Sequence, residues 1–481
     1  MQNRPIKNIC CIGAGYVGGP SMAVIAKHCP EIEVNVVDTN IERINLWNSK
    51  NMQKLPIYEP DLDKVLEICR GNNLFFSANI KESIAKADMI FISVNTPTKT
   101  KGMGAGYASD LKWIEASARQ IGEFSKGHTI VVEKSTLPVR TAETIRSILK
   151  SHATLKIPKD TEKKEKTFSI LSNPEFLAEG SAINDLENPD RVLIGGDSND
   201  AIMTLSYIYE KWVPKDRILY TNIWSSELAK LTSNAFLAQR ISSINSIAAI
   251  CEATGADIRE VSRAIGSDTR IGSKFLDSSP GFGGSCFKKD ILNLVYLSKY
   301  FGLYNVAKFW EGVVILNNWH QHRISELVVQ KLYGTISGKK IAILGFAFKA
   351  NTNDTRESAA ITICKDLIEE GALLAIHDPK VDSKQIGKDL NIEEFDYKNN
   401  NRNFEGGWLS VRNFVDAFED ADAAIFLTEW DLYKIINWKE VSIKMRKPAW
   451  IFDSRSIFEP KDIVKEGLKL WRIGDGCPYK K

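Results

Sequence analysis

Ile6-Lys-Asn-Ile-Cys-Cys-Ile-Gly-Ala-Gly-Tyr-Val-Gly18 is the stretch of sequence that decides the fold. A mostly apolar run ends here at three spaced glycines, and a helical pattern follows through Ala26. A second apolar run then ends at Asp38, about 20 residues after Gly18. This order of strand, glycine turn, helix, strand and acid predicts a dinucleotide-binding fold, and a glycine-rich turn with an incidental acid is the alternative. Because the acid would meet the adenine ribose and repel a 2′-phosphate, NAD is predicted rather than NADP.

Polar clusters follow the other predicted strands of this first unit. The strands are short apolar runs that alternate with helical patterns, which is typical of a parallel sheet covered on both faces. Ligands bind at the carboxyl ends of such strands, so the clusters indicate the expected site. They are Asn95-Thr-Pro-Thr98 after Met89–Val94, Lys134-Ser-Thr136 after Thr129–Glu133, Ser172-Asn-Pro-Glu175 after Phe168–Leu171, and Gly195-Gly196 after Arg191–Ile194.

The pattern changes at about Trp224, where a long helical segment begins and continues to Glu252. Helical patterns run on to about Leu332, and a second ladder of strands and helices starts at Lys340 without a glycine fingerprint. The predicted fold class is therefore α/β, with two Rossmann-like doubly wound parallel-sheet domains joined by a long central helix and a helical domain. The second ladder should hold a ligand other than NAD. Polar segments at 159–166 and 398–403 are interpreted as solvated loops.

Pro280-Gly-Phe-Gly-Gly-Ser-Cys286 is a glycine-rich loop that delivers one cysteine to the predicted start of a helix. Unpaired N–H groups at a helix N-terminus favour the thiolate, which is the nucleophilic form. Most cysteines are small core residues, and a buried structural thiol is the ordinary alternative. In a chain that also binds a nicotinamide, a reactive thiol suggests oxidation through a thioester.

The composition argues against several other classes of protein. Of the 481 residues 43% are hydrophobic and 26% charged, with a net charge of +3, as in a globular protein of two or three domains. No long basic run supports nucleic-acid binding, and no apolar run reaches the roughly 18 residues of a membrane span. The N-terminus lacks a signal core, and the eight cysteines are scattered, so a cytoplasmic protein with reduced thiols is expected.

Metal binding finds little support in the six dispersed histidines. His320 and His322 are two residues apart, which points them to different faces of a helix. We expect both to be polar surface residues, and no metal site is predicted.

Taken together, the motifs resemble those of the UDP-glucose/GDP-mannose dehydrogenase family, and most closely its UDP-glucose 6-dehydrogenases of the animal or eukaryotic type. Matching segments run from Gly13 to about Arg455. No single motif suffices, but their order along the chain is specific. The most specific are Val94-Asn-Thr-Pro-Thr98, Glu133-Lys-Ser-Thr136, Asn173-Pro-Glu-Phe-Leu-Ala-Glu179, Lys230-Leu-Thr-Ser-Asn234, Gly281-Phe-Gly-Gly-Ser-Cys286 and Thr355-Arg-Glu-Ser358.

The resemblance implies oxidation of the C6 hydroxyl of UDP-glucose to a carboxylate, with two NAD⁺ reduced. Lys230, or a water that it polarises, is the implied base of the first oxidation, and Lys230 and Asn234 suit the oxyanion at C6. Cys286 is the implied nucleophile, which forms a thiohemiacetal and then a thioester. Glu175 is the implied base for hydrolysis. The residues implied to hold the water are Thr136 and Asp290.

The residues alone leave simpler interpretations of these side chains open. Lys230 and Asn234 are four residues apart and share one helix face, which fits a solvated face equally well. Glu175 after a proline fits an acid in the first turn of a helix, and its role is easily confused with that of Glu179.

The remaining site residues are carried over from the family one position at a time, and Arg270 would come from the neighbouring subunit. Those implied for NAD are Gly13, Ala14, Gly15, Tyr16, Val17, Gly18, Asp38, Arg43, Val94, Asn95, Thr96, Pro97, Thr98, Ser135, Thr136, Leu137, Glu179, Lys289 and Arg356. Those implied for the substrate are Glu175, Phe176, Leu177, Ala178, Glu179, Lys230, Asn234, Arg270, Phe282, Gly283, Phe348, Lys349 and Arg455.

The resemblance also implies self-association, as a homodimer at least and as a homohexamer of three dimers in the animal members. The implied domains are 1–222 for NAD, 223–333 for dimerisation and the cysteine loop, and 334–481 for the UDP-sugar. The product would feed glycosaminoglycans or other glucuronate-derived polymers.

Five positions depart from the family pattern, and none of them removes a catalytic group. An acid beside a diphosphate would be repulsive, so we expect Asp277 to point away from the substrate or to weaken its binding. The five are Asp277, Pro280, Lys288, Asn353 and Ser454.

Two other functions stay open. One is the same chemistry on another nucleotide sugar, such as UDP-N-acetylmannosamine or GDP-mannose. The other is a non-catalytic scaffold that binds NAD or a UDP-sugar, although such a protein would not need the intact catalytic set. A two-electron hydroxy-acid dehydrogenase shares the fold but has no use for the thiol.

Overall fold

The computed structural model describes residues 5–153, 166–395 and 406–476, which form two compact units. The first unit comprises residues 1–233 and 292–302, and the second comprises 234–291 and 303–481. The loop predicted at 398–403, and all but the last residue of the loop predicted at 159–166, lie outside the described residues.

An eight-stranded sheet forms the first unit. Its strands are β1 (Asn8–Ile12), β2 (Glu33–Val37), β3 (Leu74–Ser77), β4 (Met89–Ile92), β5 (His128–Glu133), β6 (Thr167–Ser172), β7 (Val192–Gly196) and β8 (Ile218–Thr221). They lie in the order β3-β2-β1-β4-β5-β6-β7-β8, which confirms the doubly wound fold. Among the described strands the pairs are parallel, except that β7 runs antiparallel to β6 over two residue pairs. The contact between β6 and β7 is therefore the one antiparallel junction among the described strands of this parallel sheet.

Helices cover both faces of this sheet. They are α1 (Gly18–His28), α2 (Ile41–Trp47), α3 (Leu62–Cys69), α4 (Ile80–Lys86), α5 (Lys112–Phe124), α6 (Thr141–Ala153), α7 (Ala182–Glu187) and α8 (Asn199–Tyr209). Successive side chains of a strand point to opposite faces, and in β4 both faces are apolar. Met89 and Phe91 pack into one core cluster, whereas Ile90 and Ile92 pack into the other.

Four helices follow: α9 (Ile223–Thr254), α10 (Ile258–Gly266), α11 (Phe287–Tyr300) and α12 (Tyr304–Lys331). The long helix predicted from Trp224 is confirmed as α9. It ends at Gly255, whose φ of +85° is a left-handed conformation that glycine adopts readily. Among the helices of the described ranges, none combines the length and the apolar character needed to cross a membrane.

A six-stranded parallel sheet forms the α/β part of the second unit. Its strands are β9 (Lys340–Leu344), β10 (Leu373–His377), β11 (Gly407–Ser410), β12 (Ala423–Phe426), β13 (Trp450–Asp453) and β14 (Lys469–Arg472). Its helices are α13 (Ala359–Glu369), α14 (Ser383–Leu390), α15 (Trp438–Lys444) and α16 (Pro460–Val464). The order β11-β10-β9-β12-β13-β14 places a topological switch point at β9, where a doubly wound sheet binds its ligand.

Candidate active site

The glycine fingerprint joins β1 to α1. Gly13 has φ +111°, and a Cβ there would lie 2.4 Å from the carbonyl oxygen of Ser93. A Cβ at Gly18 would lie 2.0 Å from the oxygen of Gly13, so the first and third glycines are required by close packing. Apart from its neighbours in the chain, no atom of the described residues lies within 4 Å of a Cβ built at Gly15. The turn therefore leaves open space at the N-terminus of α1, where a pyrophosphate binds in dinucleotide folds.

Asp38 follows β2 and lies beside this turn. Its carboxylate accepts hydrogen bonds from the N–H groups of Ala14, at 3.0 Å, and Asn40, at 2.9 Å. The guanidinium of Arg43 lies 3.2 Å from the same carboxylate. The acid and the arginine predicted for the adenosine are thus adjacent, and together with the open turn they fit an NAD molecule.

The loops after β4 and β5 are bonded to each other. The hydroxyl of Thr96 donates to the carbonyl of Thr136 at 3.0 Å, and the hydroxyl of Ser135 donates to the carbonyl of Val94 at 2.7 Å. Two motifs about 40 residues apart in sequence therefore meet at the carboxyl edge of the sheet. Thr136, the residue predicted to hold water, is half-buried at this edge.

Glu175 lies in the loop after β6 and forms an ion pair with Lys134. The Lys134 ammonium is 2.7 Å from the Glu175 carboxylate, and the two side chains are 3% and 14% exposed. The carboxylate also accepts hydrogen bonds from the N–H groups of Phe176, at 2.8 Å, and Leu177, at 3.2 Å. Burial acts to raise the pKa of Glu175, but the charge and hydrogen bond of Lys134 hold it below its ordinary value. Glu175 is therefore an ionised carboxylate at neutral pH.

The alternative that Glu175 is a first-turn acid is wrong, because α7 begins only at Ala182. Lys134, the ion-pair partner of Glu175, lies in the motif Glu133-Lys-Ser-Thr136, but the sequence predicted no role for it. Its ammonium also donates to Asn173 and to the Tyr209 hydroxyl, each at 3.1 Å. A lysine at the end of an apolar strand was the available signal, since a buried cation requires a partner.

Two cations face the ring of Phe176. The Arg191 guanidinium is 3.9 Å from the ring centroid, and the Lys230 ammonium is 5.3 Å away. Lys230 and Asn234, both on α9, are 7% and 4% exposed. The alternative of a solvated helix face is therefore wrong for both residues. The sequence predicted no role for Arg191, because its spacing from the motifs carries no signal of its contact with Phe176.

Cys286 immediately precedes α11 in the second unit, as predicted. It is partly exposed, whereas the other six described cysteines are buried. The alternative that Cys286 is a buried structural thiol is therefore wrong. Asp290, one turn into the helix, is 1% exposed, and it accepts a hydrogen bond of 2.6 Å from the amide of Asn234. Of the predicted catalytic residues, Asn234 and Asp290 are in direct contact.

The end of the cysteine loop packs against residues that follow β9. A Cβ at Gly283 would lie 2.5 Å from the carbonyl oxygen of Glu357, and one at Gly284 would lie 3.0 Å from the Phe348 ring. The N–H group of Gly284 donates to the carbonyl of Arg356 at 2.8 Å. Residues predicted separately for the substrate and for NAD are thus brought together within this unit.

Arg455 lies at the end of β13 and contacts the loop after β9. Its guanidinium donates to the carbonyl of Phe348 at 3.0 Å and to that of Leu427 at 2.8 Å, and it lies 3.1 Å from Glu429. The Lys349 ammonium is 5.6 Å from the Phe348 ring centroid. The residues predicted for UDP therefore meet at the switch point of the second sheet.

Arg270 is not brought to the other predicted residues of its unit. It follows α10, is 88% exposed, and its guanidinium pairs with Asp268 at 2.6 Å. The remaining predicted residues lie in the same loops as those already described: Tyr16 and Val17 before α1, Asn95, Pro97 and Thr98 after β4, Leu137 after β5, Ala178 and Glu179 before α7, and Lys289 in the first turn of α11.

Among the departures from the family pattern, Asp277 is exposed and Pro280 is buried. Lys288 forms an ion pair of 2.8 Å with Glu357. Ser454 is fully buried, and its hydroxyl donates to the carbonyl of Phe426.

His320 and His322 differ in their exposure to solvent. His322 is 54% exposed, in agreement with a surface residue. His320 is 0% exposed, and its Nε2 lies 3.0 Å from the carbonyl oxygen of Ser279 in the cysteine loop. The expectation that His320 lies on the surface is wrong, because that face of α12 packs against the loop.

Comparisons with known proteins identify the family to which the chain belongs. Three models of the UDP-glucose/GDP-mannose dehydrogenase family match the chain: the NAD binding domain at residues 7–213, the central domain at 224–319 and the UDP binding domain at 342–460. The UDP-glucose 6-dehydrogenase of Gallus gallus is 54% identical, over 99% of this chain and 94% of that protein. The corresponding values for the Drosophila melanogaster enzyme are 52%, 97% and 96%. A solved UDP-glucose dehydrogenase from Pyrobaculum islandicum superposes with a TM-score of 0.81 at 27% identity, covering 98% of both chains. The chain belongs to the UDP-glucose/GDP-mannose dehydrogenase family.

Proposed function

We propose that this chain is an NAD-dependent oxidoreductase that converts UDP-glucose to UDP-glucuronate in a four-electron oxidation through a Cys286 thioester. The observation that carries this proposal is the partly exposed thiol at the start of α11, one turn before the buried Asp290–Asn234 pair. Relatives that are 50–54% identical over nearly the whole chain bear the name UDP-glucose 6-dehydrogenase.

NAD would be held by the fingerprint turn, by Asp38 and Arg43, and by the loops after β4 and β5. When bound, its nicotinamide supplies the hydride acceptor in both oxidations. The open space at Gly15 and the carboxylate after β2 support this assignment.

Lys230 and Asn234 serve the first oxidation in this proposal. The C6 hydroxyl loses its proton to Lys230, or to a water that Lys230 polarises, while hydride leaves C6. The resulting aldehyde oxygen carries partial negative charge, which the lysine and the Asn234 amide stabilise.

Cys286 serves the second oxidation. Its thiolate adds to the C6 aldehyde, so that a C–S bond forms and the carbonyl oxygen takes a proton to give a thiohemiacetal. Loss of hydride from C6 and of that proton gives the thioester. The covalent bond keeps a reactive aldehyde on the enzyme.

Glu175 serves the hydrolysis. Its ionised carboxylate, held in that state by Lys134, takes a proton from water as the water attacks the thioester carbonyl. The C–S bond breaks, the sulfur leaves as the thiolate, and the sugar carboxylate is released. We assign Thr136 and Asp290 to the placement of this water.

The organisation of the protein is also a proposal. The domains are taken as 1–222, 223–333 and 334–481, with a homodimer as the minimum unit and a hexamer of three dimers as the full assembly. The 88% exposure of Arg270 supports its delivery to a neighbouring subunit. The seven cysteines within the described residues are free thiols, which supports a reducing cytoplasm. Sedimentation tests the assembly, and a monomer would contradict it.

Substrate choice tests the function directly. Initial rates of NADH formation are measured with UDP-glucose, UDP-N-acetylmannosamine and GDP-mannose at equal concentration. We expect the highest kcat/KM for UDP-glucose, with UDP-glucuronate as the product. A higher value for another sugar would redirect the assignment to that sugar. NAD binding without oxidation of any of the three would indicate a scaffold.

A further inference from the structure

Three buried polar side chains satisfy the backbone of the loop Ser279-Pro-Gly-Phe282, which leads to Cys286. The N–H group of Ser279 donates to Oδ1 of Asn245 at 3.0 Å. The carbonyl of Ser279 accepts from Nε2 of His320 at 3.0 Å. Asn245 and His320 are 1% and 0% exposed. Polar groups in such a position are costly to bury unless they are bonded, so these bonds define one arrangement of the loop.

Asn317 binds Phe282 at two points. Its Oδ1 accepts from the Phe282 N–H group at 2.9 Å, and its Nδ2 donates to the Phe282 carbonyl at 3.2 Å. Because the amide meets both a donor and an acceptor, only one of its two orientations makes both bonds. Gly281 is required beside it, since it has φ +133° and a Cβ there would lie 2.7 Å from Oδ1 of Asn317.

His320 acts here as a neutral donor. A carbonyl oxygen can only accept, so Nε2 must carry the proton. Burial, reinforced by the charge of Arg323, lowers the pKa of His320 to about 4, although the bond to Ser279 opposes this. His320 is therefore neutral near pH 7 and carries its single proton on Nε2.

We infer that Asn317 and His320, which are three residues apart on one face of α12, are positioning residues that hold the loop carrying Cys286 in its reactive geometry. Neither touches the reacting atoms. The inference rests on the proposed function of Cys286. It gives α12 a role in catalysis that the sequence did not indicate. Misplacement of a reacting group by about 1 Å from a distant change costs about a hundredfold in rate.

The test compares His320→Leu, which removes the donor, with His320→Gln, which keeps an N–H group at similar reach. His322→Gln, on the exposed face of the same helix, is the matched control. Two readouts are used on folded protein: kcat with the KM values for UDP-glucose and NAD⁺, and the rate at which iodoacetamide labels Cys286, followed by peptide mass spectrometry. The labelling readout needs no substrate.

For His320→Leu we expect a ten- to hundredfold lower kcat, an unchanged KM for NAD⁺ and several-fold faster labelling of Cys286. His320→Gln should restore most of both values, and His322→Gln should match the wild type. Unchanged kcat and labelling in folded His320→Leu, or failure of His320→Gln to restore them, would overturn the inference.

If His320→Leu does not fold, Asn317→Ser is measured in the same way with the same criteria. If the wild type does not oxidise UDP-glucose, the proposed function fails, whereas the labelling rates still decide whether these residues position the thiol.

Discussion

The ammonium of Lys134 lies 2.7 Å from the carboxylate of Glu175, and this ion pair sits at the carboxyl edge of the first sheet. Lys134 also binds Asn173 and Tyr209, so its position is fixed by three partners. Glu175 is thereby both oriented and kept ionised. A base that must accept a proton from water requires both properties.

We expect Lys134→Met to raise the pKa of Glu175, because the largest effect that opposes burial, the charge and hydrogen bond of Lys134, would be lost. The acid limb of the pH–rate profile should move to higher pH. Loss of one partner of a buried pair costs about 3–5 kcal/mol, which urea unfolding would measure. Lys27→Met, at the more exposed Lys27–Glu187 pair, should cost about 1 kcal/mol or less. An acid limb at the same pH as in the wild type would show that Lys134 does not keep Glu175 ionised.

The lowered pKa of Glu175 makes the stability of the folded protein depend on pH. The pKa of this carboxyl is lowered in the folded protein, so its contribution to stability is present above its ordinary pKa and is lost as pH falls through the lowered value. In Lys134→Met this acid-side contribution should disappear. Unfolding free energies at pH 3, 4 and 5 measure the difference.

The pKa of Glu133, at the end of β5, is shifted in the opposite direction to that of Glu175. Glu133 is buried, and the carboxyl group of Glu227 lies beside it within hydrogen-bonding reach. Burial and then repulsion from Glu227 raise its pKa well above the ordinary value, while Arg146 acts weakly against this. Glu227 accepts hydrogen bonds from the N–H groups of Arg140, at 2.7 Å, and Ala142, at 2.9 Å, at the start of α6. Glu133 therefore stays protonated at neutral pH.

We expect Glu133→Gln to stabilise the protein increasingly as pH rises from 5 to 8. A raised carboxyl pKa means that the folded state keeps a proton that the unfolded chain releases, so wild-type stability falls as pH rises above the ordinary carboxyl pKa, by at most about 1.4 kcal/mol per pH unit. Because glutamine does not titrate, Glu133→Gln does not lose stability in this way as pH rises. Unfolding in urea at each pH measures this loss, with the exposed Glu67→Gln as control. Parallel curves for wild type and Glu133→Gln would show that Glu133 is ionised.

Asp38 should set the choice between NAD and NADP. In Asp38→Asn the carboxylate that would bind the ribose is lost, and Arg43 no longer pairs with it. We expect kcat/KM for NAD to fall about 10- to 100-fold and the relative use of NADP to rise. The exposed Asp63→Asn is the control. An unchanged ratio of the two cofactors would remove Asp38 from the binding site.

Much of the fold follows from local sequence. The fingerprint at Gly13–Gly18, the acid after β2 and the long helix from Trp224 are all encoded over short distances, and each was confirmed. The antiparallel junction of β6 and β7 was not predicted, because an apolar strand carries no signal of its direction.

The partners within the site were harder to predict, because they are far apart in sequence. Lys134 and Asn173 are separated by 39 residues, and Phe282 and Asn317 by 35. His320 looked like a surface residue because helical spacing shows which residues share a face but not what covers that face. Its burial depends on the loop that packs against it.

Cys286→Ala should abolish formation of UDP-glucuronate while leaving NAD⁺ binding intact, because the thiol is required only after the first oxidation. Product analysis and NAD⁺ titration measure the two effects. Cys251→Ala, at a buried cysteine in the same unit, is the control and should retain activity. Normal acid production by Cys286→Ala would eliminate the thioester route.

The most direct test is the amount of NADH formed per UDP-glucose consumed, run to completion with excess NAD⁺. Two NADH per sugar is the expected result, because both the alcohol and the thiohemiacetal on Cys286 give up a hydride. One NADH per sugar would contradict the four-electron route, since the reaction would then stop at the aldehyde and the hydrolytic roles of Glu175, Thr136 and Asp290 would be wrong.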